Sequence, residues 1–73
     1  KHMFKIGDLV KSKEAWMCIG ADGWCCPIGI IVATHPGRDL ERYVKWIHPF
    51  GDEDLDSCVI YDLELLNEAV YSP

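Results

Sequence analysis

The 73 residues carry twelve acidic and seven basic side chains, for a net charge of −5, with 49% hydrophobic and 11% aromatic content. That balance excludes disorder, which needs low hydrophobicity and high net charge. It disfavours a phosphate-binding surface, because an acidic chain repels phosphate and the bases Lys5, Lys11, Lys13, Arg38, Arg42 and Lys45 are scattered. One domain fits, with a thin core: a chain this short buries only ~60% of the surface it exposes when unfolded. No apolar run approaches the ~20 residues that a membrane span needs, and no signal peptide is read at the N-terminus. The expected setting is therefore cytoplasmic. Lys1-His2-Met3 reads as a tag remnant, leaving 4–66 as the folded unit and 67–73 as a tail.

Along the chain, Gly7-Asp8 predicts a bend, and Leu9-Val10 then enters a first strand. Residues 11–27 contain Gly20, Gly23 and Pro27 but also Trp16, Met17, Ile19, Trp24 and Cys25. A structureless loop of that length is unusual. The segment is expected to fold back as a long first hairpin with Ala21-Asp22-Gly23 at its tip, Asp-Gly being a tight-turn signal. Residues 28–35 are apolar on both faces, which predicts a central strand. Pro36-Gly37-Arg38-Asp39 predicts a turn, Pro-Gly pre-setting a type II geometry. Residues 42–48 alternate, with Val44 and Trp46 inward and Lys45 reaching water. An acidic connection over 49–57 leads to a fourth strand, Cys58-Val59-Ile60-Tyr61. A tight turn at Asp62-Leu63 and a closing strand through Leu66 follow. The alternative for the last piece is a helix, with Leu63, Leu66 and Val70 at helical spacing and Asp62 as its cap. The whole reads as a small all-β barrel of about five strands.

Four segments together, Gly7-Asp8-Leu9-Val10, Gly29-Ile30-Ile31-Val32, Tyr43-Val44-Lys45-Trp46 and Tyr61-Asp62-Leu63-Glu64-Leu65-Leu66, resemble the strands of SH3-like barrels. The arrangement, over residues 4–66, is similar to small SH3-like proteins of unknown role in tailed bacteriophages. The resemblance implies a binding or assembly module, in the host cytoplasm or the virion. It does not extend to proline-peptide recognition, because the acidic, tyrosine-rich opening of the signalling SH3 domains is missing.

The aromatic residues Trp16, Trp24, Tyr43 and Tyr61 are the candidate partner-binding set, since interfaces favour tryptophan and tyrosine for large contact area at low entropy cost. Trp46 is assigned to the core. An aromatic cage for a cation is a minor alternative, as the sequence places no carboxylate to define it. Cys18, Cys25, Cys26 and Cys58 are expected to be reduced, buried thiols. If oxidised, Cys18 with Cys25 or Cys26 is easier to bridge than the adjacent pair. With His35 and His48 they form a weak zinc candidate, because no standard C-x₂₋₄-C knuckle is present. The run Asp52-Glu53-Asp54 with Asp56 reads as a solvated connection. It lacks the glycine and the terminal glutamate of a calcium loop.

The leading expectation is a non-enzymatic protein-interaction module, without cofactor, docking a basic protein surface through the 11–27 hairpin near Trp24. Alternatives are a cysteine-dependent zinc-binding or redox-responsive domain, and a nucleic-acid-associated barrel. No acid, base and nucleophile set suggests an enzyme. An exposed edge strand leaves a homodimer open.

Overall fold

Asp8 sets where the first strand begins. Its carboxylate accepts the Lys5 backbone N–H at 2.8 Å, and its own N–H donates to the Lys5 carbonyl at 3.0 Å. Gly7, at φ 95°, supplies the left-handed conformation that this tight turn needs. The turn is stitched to a neighbouring strand by Gly7 N–H to the Ile31 carbonyl (2.8 Å) and Ile31 N–H to the Asp8 carbonyl (3.0 Å). Asp8 is fully buried, and Lys5 Nζ lies 3.5 Å from it.

The computed structural model describes residues 4–17, 23–49, 51 and 53–67. Seven strands follow in chain order: β1 Leu9–Ser12, β2 Trp16–Met17, β3 Trp24–Cys25, β4 Ile28–His35, β5 Arg38–His48, β6 Asp56–Val59 and β7 Leu63–Asn67. A 3₁₀ turn, Ile60–Asp62, links the last two. Five strands form one antiparallel sheet in the order β6-β5-β4-β1-β7, and β2 and β3 pair as a separate two-stranded ribbon. The fold is therefore all-β.

One face of the sheet makes the core. Val10, Ile31, Val44, Trp46 and Leu63, from four different strands, are at most 4% exposed and pack as one cluster. Strands far apart in sheet order can share a cluster only if the sheet curls over its inner face, as twisted sheets do. β4 lies in the middle of the sheet, as its two apolar faces predict, and Val44 and Trp46 point inward. Gly29 sits opposite Trp46 in the β4–β5 register. A Cβ there would fall 2.6 Å from Val44 Cγ1 and 2.8 Å from both Lys45 O and Trp46 Cε3. The glycine thus leaves the space that the indole occupies.

Several boundaries move from the sequence expectation. The first strand starts at Leu9, as expected after the Asp8 turn, and runs on to Ser12. β5 begins at Arg38 rather than at residue 42: Pro36-Gly37, with Gly37 at φ 77°, is a two-residue connection, so pairing resumes at once with His35 opposite Arg38. The fourth strand of the expectation, residues 58–61, is instead Asp56–Val59, and Ile60–Asp62 closes into the 3₁₀ turn. Its register explains the shift, since Asp56 pairs with Val44 and Val59 with Glu41. The closing strand is found over Leu63–Asn67, taking in Leu63 from the expected turn and Asn67 from the expected tail, and the helical alternative is not adopted there. The 11–27 segment does fold back, through β2 and β3, and Ser12 N–H closes its base on the Pro27 carbonyl at 2.9 Å. Residues 1–3, 18–22 with Ala21 and Asp22 of the expected tip, and 68–73 of the expected tail lie outside the described residues.

Candidate functional site

A cavity of about 260 Å³ opens where the ribbon meets the sheet. Its floor is buried: Ser12 on β1, Trp46 on β5 and Leu63 at the start of β7. Trp46 is held from two directions. Gly29 leaves room for its ring, and its indole N–H donates to Asp56 Oδ2 at 2.5 Å. Trp16 forms the facing wall, its ring centroid 5.3 Å from that of Trp46 and the planes at 71°. This edge-to-face geometry is a favoured aromatic arrangement, and it anchors the short ribbon to the sheet.

The rim is acidic, and the backbone explains why. The Ser12 hydroxyl accepts the Glu14 N–H (3.2 Å) and donates to the Glu14 carbonyl (3.0 Å), which turns the chain after β1 and brings Glu14 to the opening. Lys13 N–H donates to the Asp62 carbonyl at 2.9 Å, tying this loop to the 3₁₀ turn so that Glu14 and Asp62 border the same cavity. With Asp56, three carboxylates line it, and no lysine or arginine does among the described residues. The salt bridges found among the described residues join Lys5 to Asp8, Lys11 to Glu64 and Arg38 to Glu41, none of them a cavity carboxylate.

Cys58 on β6 also lines the cavity and senses this field. Burial pushes its thiol up to about 11, and the Asp56 and Asp62 carboxylates push the same way. It is held protonated at neutral pH, which makes it a poor nucleophile and a poor metal ligand.

The four predicted contact aromatics separate in space. Trp16, 39% exposed, is in the cavity wall. Trp24 is 67% exposed. Because Cys25 is the residue opposite Trp16, Trp24 lies on the other face of the ribbon. Tyr43 stacks on His35, with centroids 5.1 Å apart and planes at 17°, and alternates away from Val44 onto the outer face of β5. Tyr61 is 67% exposed on the 3₁₀ turn, beside Asp62. Trp46, assigned only to the core, proves to be both core and cavity floor.

The described cysteines differ in state. Cys25 is disulfide-bonded, Cys26 and Cys58 are free and half-buried, and Cys18 lies outside the described residues. The expectation of four reduced thiols is corrected at Cys25, where a fold that brings two thiols within bonding reach overrides an argument from compartment. No group of three or more His, Cys, Asp or Glu is arranged to hold a metal among the described residues. Asp56, grouped by sequence with a solvated acidic run, is instead half-buried and bonded to Trp46.

Glu14 and Asp62 are not legible as site residues: they are 48 positions apart, and the Ser12–Leu63 strand pair with the Lys13–Asp62 backbone bond brings them together. No described helix is long and apolar enough to cross a membrane. No family model matches the chain, and no curated protein or solved structure shows significant similarity to it.

Proposed function

We propose that this chain is a non-enzymatic interaction module that captures a partner protein through a basic segment. The observation that carries the reading is the cavity walled by Trp16 and Trp46, which three acidic residues line and, among the described residues, no lysine or arginine does. Its volume, about 260 Å³, falls below the ~300–1,000 Å³ typical of sites for whole small molecules. It suits the end of one side chain. A net charge of −5 adds long-range attraction for a basic partner. The resemblance to small phage barrels agrees with a role in assembly, as a docking domain rather than a catalyst.

Calorimetric titration with short basic, neutral and acidic peptides, at low and physiological salt, tests this. Basic peptides are expected to bind, more weakly as salt rises, and the others not. Trp16→Ala is expected to weaken binding by roughly 2- to 30-fold, the range of a cation–aromatic contact of about 0.5–2 kcal/mol. Indifference to peptide charge would refute the reading. Loss of binding in Trp24→Ala but not in Trp16→Ala would move the contact to the far face of the ribbon.

A redox-responsive domain is the second reading, favoured by one observation: the disulfide at Cys25 is followed directly by the free thiol of Cys26. Cys25 lies opposite Trp16, so reduction would loosen a wall of the cavity. Peptide affinity that is unchanged by dithiothreitol would dismiss it.

A further inference from the structure

We propose that the group this cavity takes is the guanidinium of an arginine side chain. The inference rests on the reading of the cavity as the partner-contact site, and it names the chemistry recognised there.

Three cationic heads can be weighed against the lining. A trimethylated ammonium has no N–H, so it would use the indole faces and offer Glu14 and Asp62 no hydrogen bond. A lysine ammonium offers three donors but is a compact, strongly hydrated charge, and the buried floor of Trp46 and Leu63 would strip that hydration. A guanidinium is planar and weakly hydrated, stacks on aromatic faces, and carries five donors in a fixed fork. The cavity offers both halves of that requirement. The Trp16 and Trp46 rings provide the aromatic surface. Glu14 and Asp62 at the rim provide carboxylates from two separate chain segments, so that donors on two sides of the fork can be met at once.

Asp56 has a different part. One of its oxygens already accepts the Trp46 indole N–H, so it fixes the floor and adds negative potential. The neutral Cys58 thiol supplies no counter-charge. The exposed Lys13 is the nearest base in sequence to Glu14, but it does not line the cavity and makes no salt bridge among the described residues.

The test uses three blocked peptides, alike except for one central residue: arginine, lysine or trimethyllysine in a neutral sequence. Dissociation constants are measured on the whole chain and on Glu14→Gln and Asp62→Asn. Both substitutions lie on exposed side chains outside the core, and neither touches the Lys13–Asp62 bond, which is made by backbone atoms.

The arginine peptide is expected to bind about tenfold more tightly than either of the others, and each substitution to weaken it by about threefold or more. Trimethyllysine binding best, with little effect of the two substitutions, would overturn the proposal in favour of an aromatic cage. Equal binding of arginine and lysine would overturn it while leaving the basic-partner reading standing. No binding of any of the three, when longer mixed basic peptides do bind, would overturn the assignment to one side chain. Failure of every basic peptide would remove the parent reading as well.

Discussion

Trp46 and Trp24 both stand in β-strands, yet one is 4% exposed and the other 67%. The difference is what each strand has to lean on. β5 pairs on both sides, with β4 and β6, and its inner face closes over Val10, Ile31 and Leu63. β3 is two residues long and, among the described residues, pairs only with β2. A two-stranded ribbon is marginal alone. Here it is tied down at its base by Ser12 to Pro27, and the Trp16 ring rests against Trp46. The sheet thus supplies the stability, and the ribbon supplies a wall that can be altered without dismantling the domain. The cavity lies on the seam between them.

That division is open to direct attack. Ile31→Ala, within the sheet core at 1% exposure, is expected to cost about 2–5 kcal/mol. For a domain of this size that is a large share of total stability, and urea unfolding should show a much lower midpoint or no folded baseline. Trp16→Ala, by contrast, should keep most of the urea midpoint while binding basic peptides more weakly. Equal losses of stability in the two would end the distinction.

Asp56→Ala probes the seam itself. It removes the acceptor of the Trp46 indole N–H and is expected to cost about 1–3 kcal/mol, towards the low end because the open cavity lets water reach the orphaned donor. Asp56→Asn keeps an acceptor and should recover most of that loss. If alanine and asparagine behave alike, the hydrogen bond does not hold the ring.

The smallest effect belongs to Cys58. Its folded-state thiol is pushed up to about 11 from an ordinary value of 9.0, so the folded protein holds this proton more tightly than the unfolded chain does. The resulting stability is present in full below about pH 9 and is lost as the pH rises through about 11. Alkylation of Cys58 in the native protein should be slow at pH 8 and should accelerate towards pH 11 or on unfolding in urea. Fast labelling of the folded protein at pH 8 would show that the thiol is neither buried nor crowded by Asp56 and Asp62.

Much of the sheet could be read from local pattern. β4 announces itself because both of its faces are apolar, and Pro36-Gly37 marks the turn that follows. Trp46 was placed inward because Lys45 beside it has to reach water. The cavity was not readable in the same way. Its carboxylates come from a loop after β1, from the start of β6 and from a 3₁₀ turn, and no spacing rule connects Glu14, Asp56 and Asp62. The conspicuous acidic run at 52–54 drew attention instead, because adjacency in sequence is visible and adjacency across a curled sheet is not. The disulfide at Cys25 was missed for a related reason: sequence context describes the environment of a thiol, whereas a bond depends on which second thiol the fold brings near.

Gly29 has one more consequence, for how the chain finds its alignment. Antiparallel strands can slide past one another, and a slip of two residues keeps every side chain on its proper face. In β4 such a slip would set Pro27 or Ile31 opposite Trp46 in place of Gly29. Either would bring a Cβ into space that the indole fills. The absent side chain and the largest ring in the core therefore fit together in one alignment alone, and a single glycine acts as the key that fixes the pairing of the two longest strands.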